Sequence, residues 1–442
     1  MTAALGSRLA AIFLRRDASG RTVIERGTVN FGKTAALPKQ PGVWLGGRLA
    51  ALDIDRWRAL WARMPDGGGS AAGLAGLNLD VDQVTAFNRR FRKVQARARA
   101  TGGGRWQVAL RGPDIDGTIY WQPQGNGKIT ARLKRFTLPP AEQMLQAAPG
   151  KTAAQETRTF PALDIVCDNL RINRRALGRL ELAAAYSHNV LPAATDDDWR
   201  IDRLLLSNAD FTLDAHGRWL NWLSTPQTQL TLTLAVKDIG RFLGRFGYPG
   251  MVSGGTAKLS GKVAWAGSPQ HINYPTMSGT LALTADNGQF LKVDPGIGKL
   301  IGLLSLQSLP RRITLDFRDI FSEGFAFNHM SSTLRLRRGI LASDDFTMEG
   351  PAALVEMSGK TNLAKESQAL TVRVTPLLGE SVSVAGALLG GPVVGITSLL
   401  LQKILKDPIG HLVSYEYAIS GTWDDPQVSK LGKKPVTGLF GG

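Results

Sequence analysis

Apolar and polar residues alternate along most of the chain with a period of two, the period of a β-strand that is buried on one face. The clearest example is Thr228–Val236, where three leucines fall on one face and the threonines between them fall on the other. Similar short segments recur from Thr22 to Gly421, separated by glycine-rich or polar stretches. The pattern predicts a mainly β fold, built as a long succession of antiparallel strands with few helices.

Two short motifs are predicted to be hairpin turns, because asparagine and glycine tolerate positive φ. They are Gly125-Asn126-Gly127 and Asp286-Asn287-Gly288. A polar stretch near residue 150 suggests a first boundary between segments. We therefore expect a β-rich segment over 1–150, a central β segment over 151–237, a C-terminal region over 238–429, and a basic, glycine-rich, disordered tail over 430–442.

Three helical segments are predicted within the C-terminal region. Asp238–Phe246 is short, and 295–309 is apolar. The segment 382–406 is the most apolar stretch of the chain and carries no charge from Ser381 to Gln402. Glycine and proline disfavour helix in its middle, so it is expected to form two short helices joined by a hinge. The hinge residues are Gly390, Gly391 and Pro392.

Three interpretations of 382–406 stay open: a helical hairpin buried in the protein, a segment that meets a membrane surface, or a membrane span. Its length is close to the roughly 20 residues that cross a bilayer, but the internal hinge argues against spanning. The residues expected to face a membrane, or to close one end of a groove, are Leu388, Leu389, Val393, Val394, Ile396, Leu399, Leu400, Leu401, Ile404 and Leu405.

A long sheet with one apolar face must cover that face. The sheet can close on itself, fold over, or curl into a trough that holds something apolar, and the predicted helices are too short to cover so many strands. We therefore expect a curved, twisted, taco-like sheet with an apolar groove for acyl chains. Alternation alone does not say which face points inward. The candidate lining residues are Leu230, Leu232, Leu234, Leu281, Leu283, Leu334, Leu336, Val372 and Val374.

Charge adds a second expectation. The 442 residues carry 53 lysines and arginines against 36 acidic residues, a formal net charge of +17. Such a protein favours anionic partners such as membranes or nucleic acid. The basic run Arg89–Arg99 is either a solvated strand face or a patch that faces phosphate.

Catalytic patterns are not apparent. The five histidines are scattered, and Cys167 lies in an apolar, strand-like run that predicts a small buried residue. Gly296–Lys299 imitates a phosphate loop, but Ile301 stands where a dinucleotide motif needs its third glycine. The sequence therefore predicts a protein that is not an enzyme and needs no metal or cofactor.

Several blocks resemble the C-terminal part of the YhdP proteins, members of the AsmA-like group of Gram-negative bacteria. These blocks are Gly247–Pro269, Gly296–Phe327, Gly339–Leu363, Leu389–Ile409 and Tyr415–Val428, with a thinner match at Pro41–Trp57. The resemblance implies an apolar β-groove that bridges the inner and outer membranes and moves phospholipid. It also implies a periplasmic, membrane-associated location, and a longer protein whose anchored N-terminal portion and targeting segment are expected to be missing from this chain.

Two alternatives remain at this stage. One is a basic β protein that binds nucleic acid, although no nucleic-acid-binding signature is present and this partner is not expected. The other is a structural module that tethers membranes without transport.

Overall fold

The protein is described by a computed structural model. The residues it describes are 2–5, 9–18, 21–32, 34–56, 74–86, 89–140, 160–173, 175–186, 198–221, 223–291, 325–376, 413–423 and 425–435. The chain divides into two compact units, Met1–Asn208 and Ala209–Gly442, called unit 1 and unit 2 below. The sequence had led us to expect boundaries near 150 and 237 instead.

The described residues of unit 1 form twelve strands, and each strand pairs with the next one along the chain. They are β1 (Thr2–Leu5), β2 (Leu9–Ala18), β3 (Arg21–Phe31), β4 (Gly42–Asp53), β5 (Leu74–Ala86), β6 (Arg89–Ala100), β7 (Trp106–Arg111), β8 (Ile115–Gln122), β9 (Lys128–Leu138), β10 (Ala162–Ile172), β11 (Arg175–Tyr186) and β12 (Trp199–Ser207).

Three of these pairs are parallel, so the expected succession of antiparallel strands is a mixed sheet in unit 1. The parallel pairs are β3–β4, β4–β5 and β9–β10. Parallel neighbours need a long crossover connection, whereas antiparallel neighbours can be joined by a short turn. The connections of the three parallel pairs span residues 32–41, 54–73 and 139–161, which are glycine- and proline-rich or polar in sequence. Length alone does not decide the direction, because β11 and β12 are antiparallel although residues 187–198 separate them.

In the described part of unit 2 there are ten strands, and the paired strands are antiparallel. They are β13 (Phe211–Leu220), β14 (Gln227–Val236), β15 (Val252–Ala266), β16 (Ser278–Phe290), β17 (Phe325–Arg337), β18 (Ile340–Glu349), β19 (Ala353–Asn362), β20 (Ser367–Pro376), β21 (Val413–Thr422) and β22 (Pro426–Pro435).

The predicted helix after β14 is confirmed as α1 (Ile239–Arg245). The Asp238 side chain caps it by accepting a hydrogen bond from the Arg241 backbone N–H at 2.8 Å. A single 3₁₀ turn, Tyr274–Thr276, lies between β15 and β16. Among the described residues, no helix is long and apolar enough to cross a membrane.

Two local predictions were wrong and one was confirmed. Asp286–Gly288 is not a hairpin turn but lies inside β16, where the positive φ of Asn287 (54°) distorts a continuing strand. The C-terminal tail does not begin at residue 430, because β22 pairs with β21 as far as Pro435. At Gly125–Gly127 the predicted turn does form, and the Gly127 N–H donates to the Gln124 carbonyl at 3.1 Å.

The mainly β fold is confirmed: the described chain is a mixed sheet with few short helices. Each unit has its own buried cluster. The unit 1 cluster is centred on Leu79, Val81 and Phe91, and the unit 2 cluster on Met348, Val355 and Val374. Both clusters are formed by one side of the strands, and this side is the candidate site.

Candidate functional site: the apolar faces of the two units

Residues directly opposite each other on paired strands point to the same side of a sheet. Following such partners from strand to strand gives a row that crosses the sheet. One row crosses all twelve strands of unit 1 and is apolar at every position. Its members are Ala3, Ala11, Val29, Leu45, Leu77, Ala98, Val108, Ile119, Ala131, Ile165, Leu182 and Leu204.

The opposite side of unit 1 is predominantly polar. A row on that side, from β3 to β12, consists of Thr28, Trp44, Gly76, Arg99, Gln107, Tyr120, Thr130, Asp164, Ala183 and Arg203. Ion pairs join neighbouring strands here, with Arg97 3.0 Å from Asp80 and Arg132 2.8 Å from Asp164. The hydrogen bond from Arg132 lowers the pKa of the Asp164 carboxyl. Unit 1 is therefore an amphipathic sheet.

Unit 2 has the same organisation. An apolar row crosses nine of its strands, from β13 to β21. Its members are Phe211, Val236, Ala257, Ala285, Met330, Met348, Val355, Val374 and Tyr415. We call the side that carries this row the apolar face of unit 2, and the corresponding side of unit 1 the apolar face of unit 1.

All nine residues predicted to line a groove lie on the apolar face of unit 2. The registers place Leu232 in line with Gly261, Leu281 and Leu334, and place Leu230 in line with Val263, Gly279 and Leu336. The two remaining leucines, Leu234 and Leu283, are joined through Leu259. Val372 and Val374 follow each other on β20. The structure thus brings these nine residues together, and their contact with lipid stays a prediction.

Burial changes across this face. The leucines of β14 and β16 are half-buried, whereas Leu336 and Val372 are each 2% exposed and Val374 is fully buried. A half-buried leucine on a sheet surface retains apolar area that a ligand can cover. The β14–β16 part of the face is therefore its most accessible part.

The opposite side of unit 2 is polar and ordered by charge pairs. Thr231, Lys262, Thr280 and Arg335 form one of its rows. On β20 and β21, Arg373 donates two hydrogen bonds to Glu416, at 2.8 and 3.1 Å, and these bonds raise the pKa of the guanidinium. Such pairs hold adjacent strands in register on the solvated side.

Cys167 lies on the apolar face of unit 1, opposite Leu133 and Leu180. It is 1% exposed, and burial raises the pKa of its thiol. A buried, protonated thiol is a poor nucleophile. The prediction of a small buried residue is confirmed.

The basic run from Arg89 to Arg99 forms β6. Arg97 and Arg99 lie on the polar side and are exposed, as both interpretations given above require, so a solvated face and a patch that faces phosphate stay open. The sequence did not single out lining residues in unit 1. The alternation of Leu163, Ile165 and Cys167 in β10, and of Leu180 and Leu182 in β11, was the signal that marked them.

The two apolar segments 295–309 and 382–406, with the hinge and the ten apolar positions named above, lie outside the described residues. Within the described ranges, no three histidine, cysteine, aspartate or glutamate side chains come together in a way that could hold a metal ion.

The class that emerges is a strand-dominated protein whose two units each have one apolar and one polar face. The sequence profile described as YhdP protein matches residues 1–428, and the chain belongs to this family. The protein described as "Intermembrane phospholipid transporter YhdP" of Escherichia coli (strain K12) is 25% identical over 408 residues, which are 90% of this chain and 31% of that relative. The chain thus spans about a third of the relative's length. No solved structure matches the chain.

Proposed function

We propose that this chain is part of a non-enzymatic phospholipid carrier of the cell envelope, in which acyl chains lie against the apolar faces of the two units. The observation that carries the proposal is the row of twelve apolar residues in unit 1, unbroken by a polar side chain. The name of the Escherichia coli relative supports the same cargo.

The energetics favour an acyl chain on such a face. Transfer of each CH₂ group from water to an apolar surface is worth about 0.8 kcal/mol, so a face that covers many CH₂ groups offsets much of the cost of leaving a bilayer. Neighbouring strands are about 4.8 Å apart, so a row across twelve strands extends for roughly 50 Å.

Uniformity of the row matters as much as its length. A lipid that moves from strand to strand exchanges one aliphatic contact for another, so no position along the row holds it strongly. This property suits transport better than storage, because a deep local minimum would slow movement. Neither step needs an acid, a base, a nucleophile or a cofactor.

The wider setting is also part of the proposal. The carrier would act in the periplasm between inner and outer membrane, together with the remaining two thirds of a longer protein. The segment 382–406 would meet the outer membrane or close one end of the groove. Its uncharged sequence, ended by Lys403 and Lys406, supports this assignment.

Native mass spectrometry with lipid identification tests the proposal on the chain purified from bacterial cells. We expect bound phospholipid in the wild type and its loss when Leu230, Leu232 and Leu234 are changed to aspartate. Thr231→Asp with Thr233→Asp introduces charge on the same strand but on the polar side, and this variant should retain lipid. A folded wild-type chain without lipid, or equal loss in both variants, would contradict the proposal.

A further inference from the structure

Positive charge is concentrated in one part of unit 1. Between Arg89 and Leu138, which cover β6 to β9, the sequence has twelve lysines and arginines and two aspartates. The rest of the chain therefore carries a much smaller part of the net charge of +17. Such a local excess needs an explanation beyond solubility, because like charges on adjacent strands repel each other.

The registers place six of these cations on one side of the sheet. Arg97 is in line with Ala109, Thr118 and Arg132, while Arg111 is in line with Asp116 and Arg135. The members of this set are all exposed, and they lie on the polar side, opposite the apolar face. We call this set the basic face: Arg97, Arg99, Arg111, Lys128, Arg132 and Arg135.

Acidic residues on neighbouring strands form ion pairs with only some residues of the basic face. Arg97 pairs with Asp80 from β5, and Arg132 pairs with Asp164 from β10, so these ion pairs lie along the two flanks of the patch. Arg99 and Lys128 lie on the same two strands as Arg97 and Arg132, and Arg111 lies on β7 between these strands. The side chains of Arg99, Arg111 and Lys128 present guanidinium and ammonium groups to solvent, where an external anion can approach them.

We propose that the basic face docks on a membrane surface that carries anionic phospholipids. Four strands about 4.8 Å apart and the seven-residue step from Lys128 to Arg135 on β9 give a patch of about 15 by 23 Å, which is two-dimensional like an array of head groups. A nucleic-acid strand would need a linear track and several exposed rings for stacking. Within β6–β9, one exposed aromatic residue, Tyr120, belongs to this side, and a single tyrosine suits a head-group region.

This docking surface is separate from the apolar faces and goes beyond the proposed function. The apolar face takes up acyl chains one lipid at a time, whereas the basic face recognises the collective negative charge of a bilayer. Acyl-chain binding and membrane docking can therefore be lost independently of each other. A variant such as Leu281→Asp, on the apolar face of unit 2, should leave membrane docking unchanged.

Vesicle flotation of the purified full chain tests the docking. Vesicles of phosphatidylcholine alone are compared with vesicles that also contain phosphatidylglycerol. We expect binding to the second kind only, and a steep fall in binding as salt is raised, because the attraction is screened. Equal binding to both kinds, or none to the anionic vesicles, would overturn the proposal.

A charge-matched pair of variants locates the surface. The first variant combines Arg99→Gln, Arg111→Gln and Lys128→Gln on the basic face. The second variant combines Lys258→Gln, Lys262→Gln and Lys360→Gln, three residues that are exposed in unit 2. Both variants lose three positive charges, so the change in net charge has the same effect on vesicle binding in each. We expect roughly a hundredfold weaker binding in the first variant and little change in the second, since each basic residue near an anionic surface contributes about fivefold.

Two further outcomes are decisive. Equal loss in both variants would show a general charge effect and would overturn the assignment to β6–β9. Retention of a DNA oligonucleotide that is lost in the Arg99/Arg111/Lys128 variant, without vesicle binding in the wild type, would make this a nucleic-acid surface instead. Thermal melts of both variants check folding, and Arg99→Gln alone, with a smaller expected loss, replaces the triple variant if that variant unfolds.

Discussion

Two glycines on β15 and β16 leave no room for a side chain, and replacing either one should destabilise unit 2. Gly261 has φ +153° and Gly279 has φ +152°, a conformation that side chains rarely adopt. A Cβ on Gly261 would lie 2.1 Å from the Thr280 carbonyl oxygen, and a Cβ on Gly279 would lie 2.1 Å from the Lys262 carbonyl oxygen. Both contacts are with backbone, which cannot rotate away.

The cost of Gly261→Ala has two parts. Holding alanine in this conformation costs about 1–3 kcal/mol, and relieving the overlap by shifting the strands costs about 1–3 kcal/mol more. We therefore expect a loss of about 2–6 kcal/mol, a large share of the 5–15 kcal/mol that typically stabilises a domain. The rows through Leu232 and Leu281 would shift with the strands, so lipid retention should fall as well.

Gly250 provides the control. Its φ is +72°, and a Cβ there would meet nothing within 4 Å, so Gly250→Ala carries the conformational cost without the overlap. Urea unfolding followed by circular dichroism gives the midpoint for wild type and both variants. The reasoning is refuted if Gly261→Ala lowers the unfolding free energy by no more than Gly250→Ala does.

Three further predictions concern burial and charge. Met348→Ala should cost about 2–5 kcal/mol of stability by denaturant unfolding, because Met348 is 1% exposed, whereas Ile340→Ala, at 38% exposed, should cost far less. Cys167 should resist iodoacetamide in the native chain and react in urea, since it is 1% exposed and burial raises the pKa of its thiol; rapid native labelling would contradict its placement. Arg132 lowers the pKa of Asp164, so the pair stabilises the fold above the ordinary aspartate pKa, and this contribution is lost as pH falls through the lowered value. Asp164 is 41% exposed, so Asp164→Asn should cost at most about 1 kcal/mol at pH 7 and nothing in strong acid, as measured by unfolding at both pH values.

The sequence predicted the kind of element well, because the period of two is a direct consequence of strand geometry. In β14 it identified the face of three leucines correctly. Alternation cannot say how one strand is aligned with the next, since a shift of one residue exchanges the faces. The common face of Leu232, Leu281, Leu334 and Val374 therefore became visible only through the registers.

The errors have a common origin. Asn287 and Gly288 are residues that form tight turns, but positive φ also occurs where a strand is distorted without ending. Local sequence does not separate the two cases, because the difference lies in where the next strand begins. The parallel pairs were missed for a related reason: the alternation within a strand does not show the direction in which the next strand runs.

The basic face illustrates what charge counting leaves out. The Arg89–Arg99 run was visible in the sequence, but Arg111, Lys128, Arg132 and Arg135 join it only through strand pairing. Net charge alone suggested an anionic partner without a location. The pairing gives that partner a defined surface, separate from the apolar face.

The most direct test of the central claim is site-specific photo-crosslinking in cells, with the crosslinked lipid identified by mass spectrometry. A photoreactive residue is placed at Ile119 or Thr118, adjacent positions on β8 that are both half-buried but point to opposite sides of the sheet. Leu281 and Ala282 give the matching pair in unit 2. If acyl chains lie against the apolar faces, phospholipid crosslinks are expected at Ile119 and Leu281 and none at Thr118 and Ala282. Equal crosslinking on both sides, or none on the apolar faces, would contradict this placement.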